Sequence, residues 1–370
     1  MRDPLETIVV TVGGRRVSGF SDISISLSVN AAARTATMTI SDFAGRFPLM
    51  PGEECTIEAT GDLVLTGYVR EIGPSHDEQS HKITVSIASR AIDAVEASID
   101  HPSGFAEDKD LIEIAREFDT AGVGIAADES FPKEKARFVN TGESLFAHID
   151  RLARSHGALI YDTPEGELRI AKKPRGRHAG ILAIGDGGNI VSASATLSEQ
   201  GRHDEVIVRG QSSRGFGETA LRIEARAKDA GVGRKRARII VHESETDSGK
   251  LKERAERAVK RSAGYSRKAS IVVAGWRDAG GRIFEPHFLV GIHDPRIYVS
   301  QDMAIETVTL TQSIDAGGPG TRATLSLVDP AALNGEAGSG GTSGTAGQPG
   351  EASDPVWQAP EPSGVVGVDY

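Results

Sequence analysis

Apolar residues recur at every second position along much of this chain, a period that commits it to strands with one apolar and one polar face. Ile8, Val10 and Val12 alternate with polar neighbours, and Gly13-Gly14 then turns the chain into Arg15–Val17, a hairpin signal. Ile23, Ile25, Leu27 and Val29 alternate again. Ala36, Met38 and Ile40 follow, then Leu63–Val69, then Ile83, Val85 and Ile87. No helical period interrupts this stretch. Strands so short and evenly spaced predict a small antiparallel barrel or sandwich. Cys55, the only cysteine, falls in the same alternation with Ile57 and Ala59 and reads as a small buried hydrophobe. A single cysteine excludes an intrachain disulfide and any CxxC metal site.

The period changes near residue 107. Leu111, Ile114, Ala115 and Phe118 share one face of a helix over 110–118. A second helix starts at Thr141, whose hydroxyl can cap the first turn, with Ser144 following in a TGES start. Leu145, Ile149, Leu152 and Ala153 form its buried stripe, and Gly157 supplies a left-handed stop. A hairpin comes next: Ala158–Tyr161, a Thr163-Pro164-Glu165-Gly166 turn, and Glu167–Ala171. Helix feeding hairpin makes a compact α+β unit.

From about residue 190 strands return, over 190–197, 205–209, 221–227 and 238–241. A helix starting at Ser248 interrupts them; its apolar positions Leu251, Ala255, Ala258 and Val259 form a narrow face among charges. Residues 271–330 then close the folded part. Ile271–Val273 lead into Gly275-Trp276-Arg277-Asp278, a turn at Gly280-Gly281, and a strand stopped by Asp294-Pro295, since proline has no amide for a ladder. Alternating runs at Met303–Gln312 and Thr321–Val328 finish it.

Chemical signatures are missing. The sequence has no phosphate loop, no H-E-x-x-H helix and no nucleophile elbow. Gly185-Asp186-Gly187-Gly188-Asn189 is glycine-rich, but no helix pattern follows, so it reads as a turn between strands. His148 and His156 lie eight residues apart near one helix face; without a third ligand, a surface or packing role outweighs metal binding. His287, His293 and Asp294 could form a site only if the fold gathered them, and the expectation is a strand with exposed imidazoles ended by a D-P stop. No catalytic, cofactor-binding or metal-ligating residue is assigned, and no enzyme activity is expected. The net charge of −10 argues against a general nucleic-acid binder. MRDPLETIVV lacks a signal peptide's apolar core and no run of about 18 apolar residues exists, so synthesis and folding in a cytoplasm are expected.

Two segments invite partners. Arg222, Arg226, Lys228, Arg234, Lys235, Arg236 and Arg238, then Lys250, Lys252, Arg254, Arg257, Lys260, Arg261, Arg267 and Lys268, form a basic cluster without interleaved aromatics. It reads as solvated faces, with Glu253–Arg257 an i,i+4 pair, or as a surface for an acidic partner subunit. Residues 331–370 have a flexible-linker composition that cannot bury enough apolar surface to fold alone. Trp357, Val365, Val366 and Tyr370 are unexpected in a solvating tail. They suggest either a disordered terminus or a tethered peptide that docks on a partner, with Trp357 as anchor.

Three segments carry a family resemblance. The closing module IVVAGWRDAGGRIFEPHFLVGIHDP…TRATLSLVDP, the middle unit GESLFAHIDRLARSHGALIYDTPEGELRIAKKP and the N-terminal run VTVGGRRVSGFSDISISLSVN with SDFAGRFPLMPGE resemble, in this order, baseplate hub proteins of Mu-type contractile-tailed phages. The resemblance spans residues 5–330. It implies a mainly β fold with α+β insertions, in which two β-barrel domains flank a helix-hairpin domain and a flexible C-terminal tail follows. On that basis 1–95 is expected as the first β-barrel domain and 96–189 as the α+β domain. The second β-barrel domain is expected over 190–330, with an inserted helix 248–264, and the tail over 331–370. The resemblance further implies a homotrimeric structural virion protein that adapts the sixfold tail tube to a threefold membrane-piercing spike. Its partners would be the tail tube protein, the spike and other baseplate proteins, with tape measure protein or DNA passing through the bore without sequence-specific binding. A hub of a non-phage contractile injection or secretion system and a tail-associated cell-wall hydrolase are the alternatives.

Overall fold

The N-terminal strands form as their alternation requires. The computed structural model describes residues 5–333 apart from 18, 42–48, 79–80, 128, 212–222, 246–247, 314–317 and 319. β1 (Ile8–Val12) and β2 (Arg15–Val17) make a two-residue hairpin, with Val12 opposite Arg15. Gly13 and Gly14 both take positive φ (53° and 75°), as a primed turn demands. β3 (Phe20–Ser28), β4 (Thr35–Ser41), β5 (Glu54–Ala59), β6 (Asp62–His76) and β7 (His81–Ser89) complete an antiparallel run in the order β3-β4-β7-β6-β5-β1-β2. Ile23, Ile25 and Leu27 of β3 point inward, as do Ile83, Val85 and Ile87 of β7. β6 and β7 cross so closely at Gly67 that an added Cβ would sit 1.9 Å from the Ala88 carbonyl oxygen. Cys55 is buried, and burial pushes its thiol up to about 12.

The middle of the chain is the α+β unit read from its change of period. It comprises α1 (Asp93–Glu96), β8 (Phe105–Lys109), α2 (Leu111–Glu117), β9 (Ile125–Ala127), β10 (Glu134–Phe138), α3 (Leu145–Ser155), β11 (Leu159–Asp162) and β12 (Leu168–Ala171). Asp110 and Glu113 close a reciprocal capping box on α2. α3 is capped by Ser144, whose hydroxyl accepts from the Ala147 amide at 3.4 Å, and not by Thr141. Thr141 is spent one turn earlier, in a tight turn where Gly142 takes φ 79° and Glu143 donates to the Asn140 carbonyl. Gly157 stops α3 at φ 68°, as expected. Leu111, Ile114, Phe118, Leu145, Ile149 and Leu152 share a core of their own.

The third part contains strands of the large sheet and a separate small sheet. β13 (Arg177–Ala183) and β14 (Ile190–Leu197) are joined by the turn expected at Gly185–Asn189. β15 (Glu205–Gln211), β16 (Ile223–Lys228) and β17 (Arg238–Glu245) form a separate three-stranded sheet, in the order β16-β15-β17. α4 (Ser248–Gly264) covers this sheet, Leu251 and Ala255 packing on Val206 and Val208. The helix therefore belongs to a small layered unit, because its narrow apolar face matches a small sheet. β18 (Arg267–Ala274), β19 (Leu289–Asp294), β20 (Val299–Ser313) and β21 (Thr321–Val328) then return to the large sheet.

Among the described residues that sheet has 13 strands and joins the N-terminal strands β1–β7 to the late strands β18–β21. Its path runs β14-β18-β21-β20-β3-β4-β7-β6-β5-β1-β2, with β19 branching from β20 and β13 from β19. The seam is the antiparallel pair β20–β3, where Leu310 faces Ile25 and Val308 faces Leu27. One continuous core lies under it, from Val10 and Ile57 at one end to Ile271, Trp276 and Leu325 at the other. Among the described strand pairs none links the two ends of the path.

Candidate assembly interfaces

The GWRD element is the clasp of the seam. Trp276 is fully buried and donates its indole N–H to the Thr311 carbonyl at 3.0 Å. Arg277 points to the opposite module. Its Nε donates to Glu6 Oε1 (2.8 Å), one Nη to Asp62 Oδ2 (2.5 Å) and the other to the Ala59 carbonyl (2.8 Å). The Glu6 hydrogen bond, with Asp62, holds the guanidinium pKa above its ordinary value. Asp278 accepts from the amides of Ala179, Gly280 and Arg282 and from His178 Nδ1 (2.8 Å). Burial would raise the Asp278 carboxyl, but these donors win and hold it below the usual carboxylate range. Burial pushes the His178 imidazole down, and its Nε2 accepts from the Glu285 amide (3.3 Å), so the ring is a neutral positioning group.

A second junction ties the N-terminal strands to the α+β unit. Arg34 and Asp162 are both buried, at 2% and 3% side-chain exposure. Asp162 accepts the Arg34 amide (2.8 Å) and Nε (3.2 Å), while the two Nη atoms donate to the carbonyls of Val64 (2.6 Å) and Asp162 (3.0 Å). Every polar atom of the guanidinium is thus satisfied away from water. Val29, Tyr161, Leu289, Val328 and Leu333 pack into a buried cluster contributed by three regions of the chain. Nothing in the local sequence marks Arg34 or Asp162, which lie 128 positions apart.

The histidines do not assemble. His148 is buried, its Nδ1 3.1 Å from Glu143 Oε2 and its ring edge-on to Phe118. His156 Nε2 lies 2.9 Å from Glu134 Oε1. The exposed imidazole expected at 287 is instead fully buried, with φ 63°, edge-on to Tyr161 and 3.4 Å from its hydroxyl. His287 is drawn inward because its backbone bridges two segments, donating to the Ile305 carbonyl and accepting from the Arg175 amide. His293 is exposed beside Ser300. Asp294 is buried and caps the turn at Pro295–Ile297 by accepting from the Arg296 amide (3.0 Å). Among the described residues no group of three or more His, Cys, Asp or Glu could hold a metal ion. No described helix is long and apolar enough to cross a membrane.

The outer surfaces are of three kinds. An open cleft of about 890 Å³, lined by Asp62, Arg169, Lys173, Arg282 and Phe288 among others, lies where the modules meet. β14 is the first strand of the large sheet's path and, among the described strands, pairs only with β18. Its sequence IVSASATL has no charge and no proline, and Val191 and Leu197 are more than half exposed. Such an edge is a template for another strand. The third surface is the basic cluster, much of which is internally neutralised. Arg226 pairs with Glu224 (2.8 Å) and Glu205 (3.1 Å), and Arg234 with Glu199 (2.6 Å). Arg257 reaches the Ser155 carbonyl (2.8 Å), so α4 is tied to the α+β unit by the residue expected to pair within the helix. Arg222, Trp357, Val365, Val366 and Tyr370 lie outside the described residues.

This mainly β fold of several sheets is shared with solved phage tail proteins. Two family models match parts of the chain: Mu phage baseplate assembly protein GpP-like, N-terminal, over residues 7–88, and Mu phage baseplate assembly protein GpP, fourth domain, over residues 247–336. These matches bear out the resemblance to Mu-type baseplate hubs read from the sequence. The chain is 24% identical over 339 residues to the baseplate hub protein gp44 of Escherichia phage Mu, covering 86% of this chain and 87% of the relative. Among solved structures it is similar to the 43 kDa tail protein of prophage MuSo2 from Shewanella oneidensis. That match has 28% identity and a TM-score of 0.78, covering 88% of this chain and 99% of that one. A tail protein from Neisseria meningitidis MC58 shares the fold, with 17% identity, a TM-score of 0.76, and 90% and 99% covered.

Proposed function

We propose that this chain is a structural virion protein, the homotrimeric baseplate hub that joins a sixfold tail tube to a threefold spike and surrounds part of the genome ejection path. The observation that carries the reading is the single sheet shared by the two ends of the chain. Four strands lie on each side of the β20–β3 seam before the outer strands β5, β1 and β2, so one chain presents two similar sheet segments. Three such chains, joined through edges like that of β14, would offer six segments to a sixfold tube and three equivalent surfaces to a spike. Under this reading the tube protein, the spike and other baseplate proteins bind the faces of the ring, and tape measure protein or DNA passes through the bore. The protein is made in the host cytoplasm and works without catalysis.

Electron-microscopy class averages of the chain purified with a trimeric spike protein test the reading. A ring with threefold symmetry is expected. Val191→Lys with Leu197→Lys, on an exposed edge, should abolish the ring while leaving the subunit folded. A stable monomer that digests peptidoglycan and binds no spike would overturn the hub.

A further inference from the structure

The two halves of the large sheet are built to one plan. In chain order β3, β4, β5, β6 and β7 correspond to β14, β18, β19, β20 and β21. Irregularities fix the correspondence. β3 has a bulge between Phe20 and Asp22 where it pairs with β4, and β14 has one between Ile190 and Ser192 where it pairs with β18. β6 has a bulge between Val69 and Glu71 opposite β7, and β20 has one between Ile305 and Thr307 opposite β21. β6 and β20 each run for 15 residues, and the first part of each pairs with β5 or β19 respectively. β7 and β21 are both followed by a 3₁₀ turn, Arg90–Ile92 and Pro330–Leu333. Bulges at matching places leave a single alignment, in which Leu27 answers to Leu197 and Val308 to Ile72.

The halves meet at the β20–β3 seam, and each strand of that seam has an unused counterpart. β6, the counterpart of β20, has no partner strand along Glu71–His76 on its β5 side among the described strands. β14, the counterpart of β3, has its outer edge open among the same strands. Burial follows the difference. In the seam Val308 and Leu310 are fully buried and Leu27 is 1% exposed; at the counterparts Ile72 is half-buried, Pro74 exposed and Leu197 56% exposed. Ile72 at one end of the shared core, and Ala193 and Ala195 at the other, are only partly covered. One molecule thus carries both members of a pair that it already forms internally, which is the condition for a head-to-tail contact between copies. β14 has neither charge nor proline to forbid it.

We propose that β14 of one copy of this chain pairs antiparallel with Glu71–His76 of β6 in the next, in the register of the seam, so that three copies close one continuous sheet. Val308 opposite Leu27 becomes Ile72 opposite Leu197, and Thr311 opposite Ser24 becomes Ser75 opposite Ser194. Leu197 gains an apolar neighbour, and the two half-covered ends of the core are joined. Pro74 stands in the place of Leu310 and withholds one donor from the ladder, so this joint is weaker than the seam it matches. The pairing rests on the trimer proposed above and names the two strands and the register that build it.

Disulfide trapping in the full chain, alone and with a trimeric spike protein, tests it. Ser75 and Ser194 are both exposed, and within one chain their strands are separated by β18, β21, β20, β3, β4 and β7. Under a mild oxidant Ser75→Cys/Ser194→Cys should run as a covalent trimer on a non-reducing gel. An equimolar mixture of the two single variants should give nothing beyond a dimer, and each single variant alone a monomer. Ser75→Cys/Ser192→Cys, shifted by two residues on the same face, should not cross-link, because diagonal neighbours lie about 7–8 Å apart, beyond disulfide reach. Cys55 is buried and stays out of the exchange. A threefold ring in class averages without the cross-link overturns the pairing and leaves the hub. A chain that stays monomeric with and without spike overturns both. Covalent species longer than three chains overturn the closed sheet, and equal trapping of the shifted pair overturns the register.

Discussion

Replacing Arg34 by alanine tests whether the buried ion pair is what fastens the N-terminal strands to the α+β unit. The substitution removes the Nε donor to Asp162 and the Nη donors to the Val64 and Asp162 carbonyls. It leaves a carboxylate at 3% exposure with only the residue-34 amide as a described partner from this junction. Breaking a buried pair from one side costs about 3–5 kcal/mol, because the surviving charge keeps its desolvation penalty and loses its compensation. An exposed pair would cost about 0–1 kcal/mol. Asp162→Ala should be as severe, since it strands the guanidinium instead. Arg34→Ala/Asp162→Ala should cost less than the sum of the singles by roughly 2 kcal/mol or more, as no charge is left uncompensated. Urea unfolding at equilibrium, followed by far-UV circular dichroism and by hydrogen exchange at β4 and β11, measures all three variants. Single substitutions costing under about 1 kcal/mol, or strictly additive losses, would refute the fastening role.

Three further outcomes follow from single positions. Gly67→Ala should overpack the β6–β7 crossing and cost about 3 kcal/mol or more, whereas Gly73→Ala, 3.9 Å from the Thr84 carbonyl oxygen, should be tolerated in thermal melts. Cys55, its thiol pushed up to about 12, should resist thiol reagents at pH 8 in the native chain and react at the rate of global unfolding. Glu134 is held down to about 2, first by its hydrogen bond from His156, against an ordinary value of 4.5. A depressed folded value means that the contribution is complete above about pH 4.5 and is lost as pH falls toward 2. Glu134→Gln should therefore lower stability at neutral pH and flatten its decline in acid, as read by melts across that range.

The helices and strands were legible for local reasons. Leu145, Ile149 and Leu152 announce a helix face whatever surrounds them, and Gly157 announces its end. The N-cap sits at Ser144, three residues beyond Thr141, because the two offer the same hydroxyl and only the turn at Gly142 separates them. Helix 248–264 is legible in the sequence, while the sheet that covers it is not. A narrow apolar face says that a helix is covered by something small, without saying that the cover is a second sheet. Trp276 and the Asp294-Pro295 stop were recognisable as landmarks, yet the reach of Arg277 to Glu6 and Asp62 spans 271 and 215 positions and leaves no local trace.

What the amino-acid order settles by itself is side-chain direction. Successive residues of a strand face opposite ways, so alternation alone says which atoms of β3, β7 and β21 must be inside. It also settles the order of the three segments that resemble Mu-type baseplate hubs. Tertiary structure alone decides that β3 pairs with β20, that His287 is buried, and that Arg34 finds Asp162. These are contacts between distant segments, formed only when whole apolar faces coalesce, and each residue's own neighbours would have been equally content with another partner.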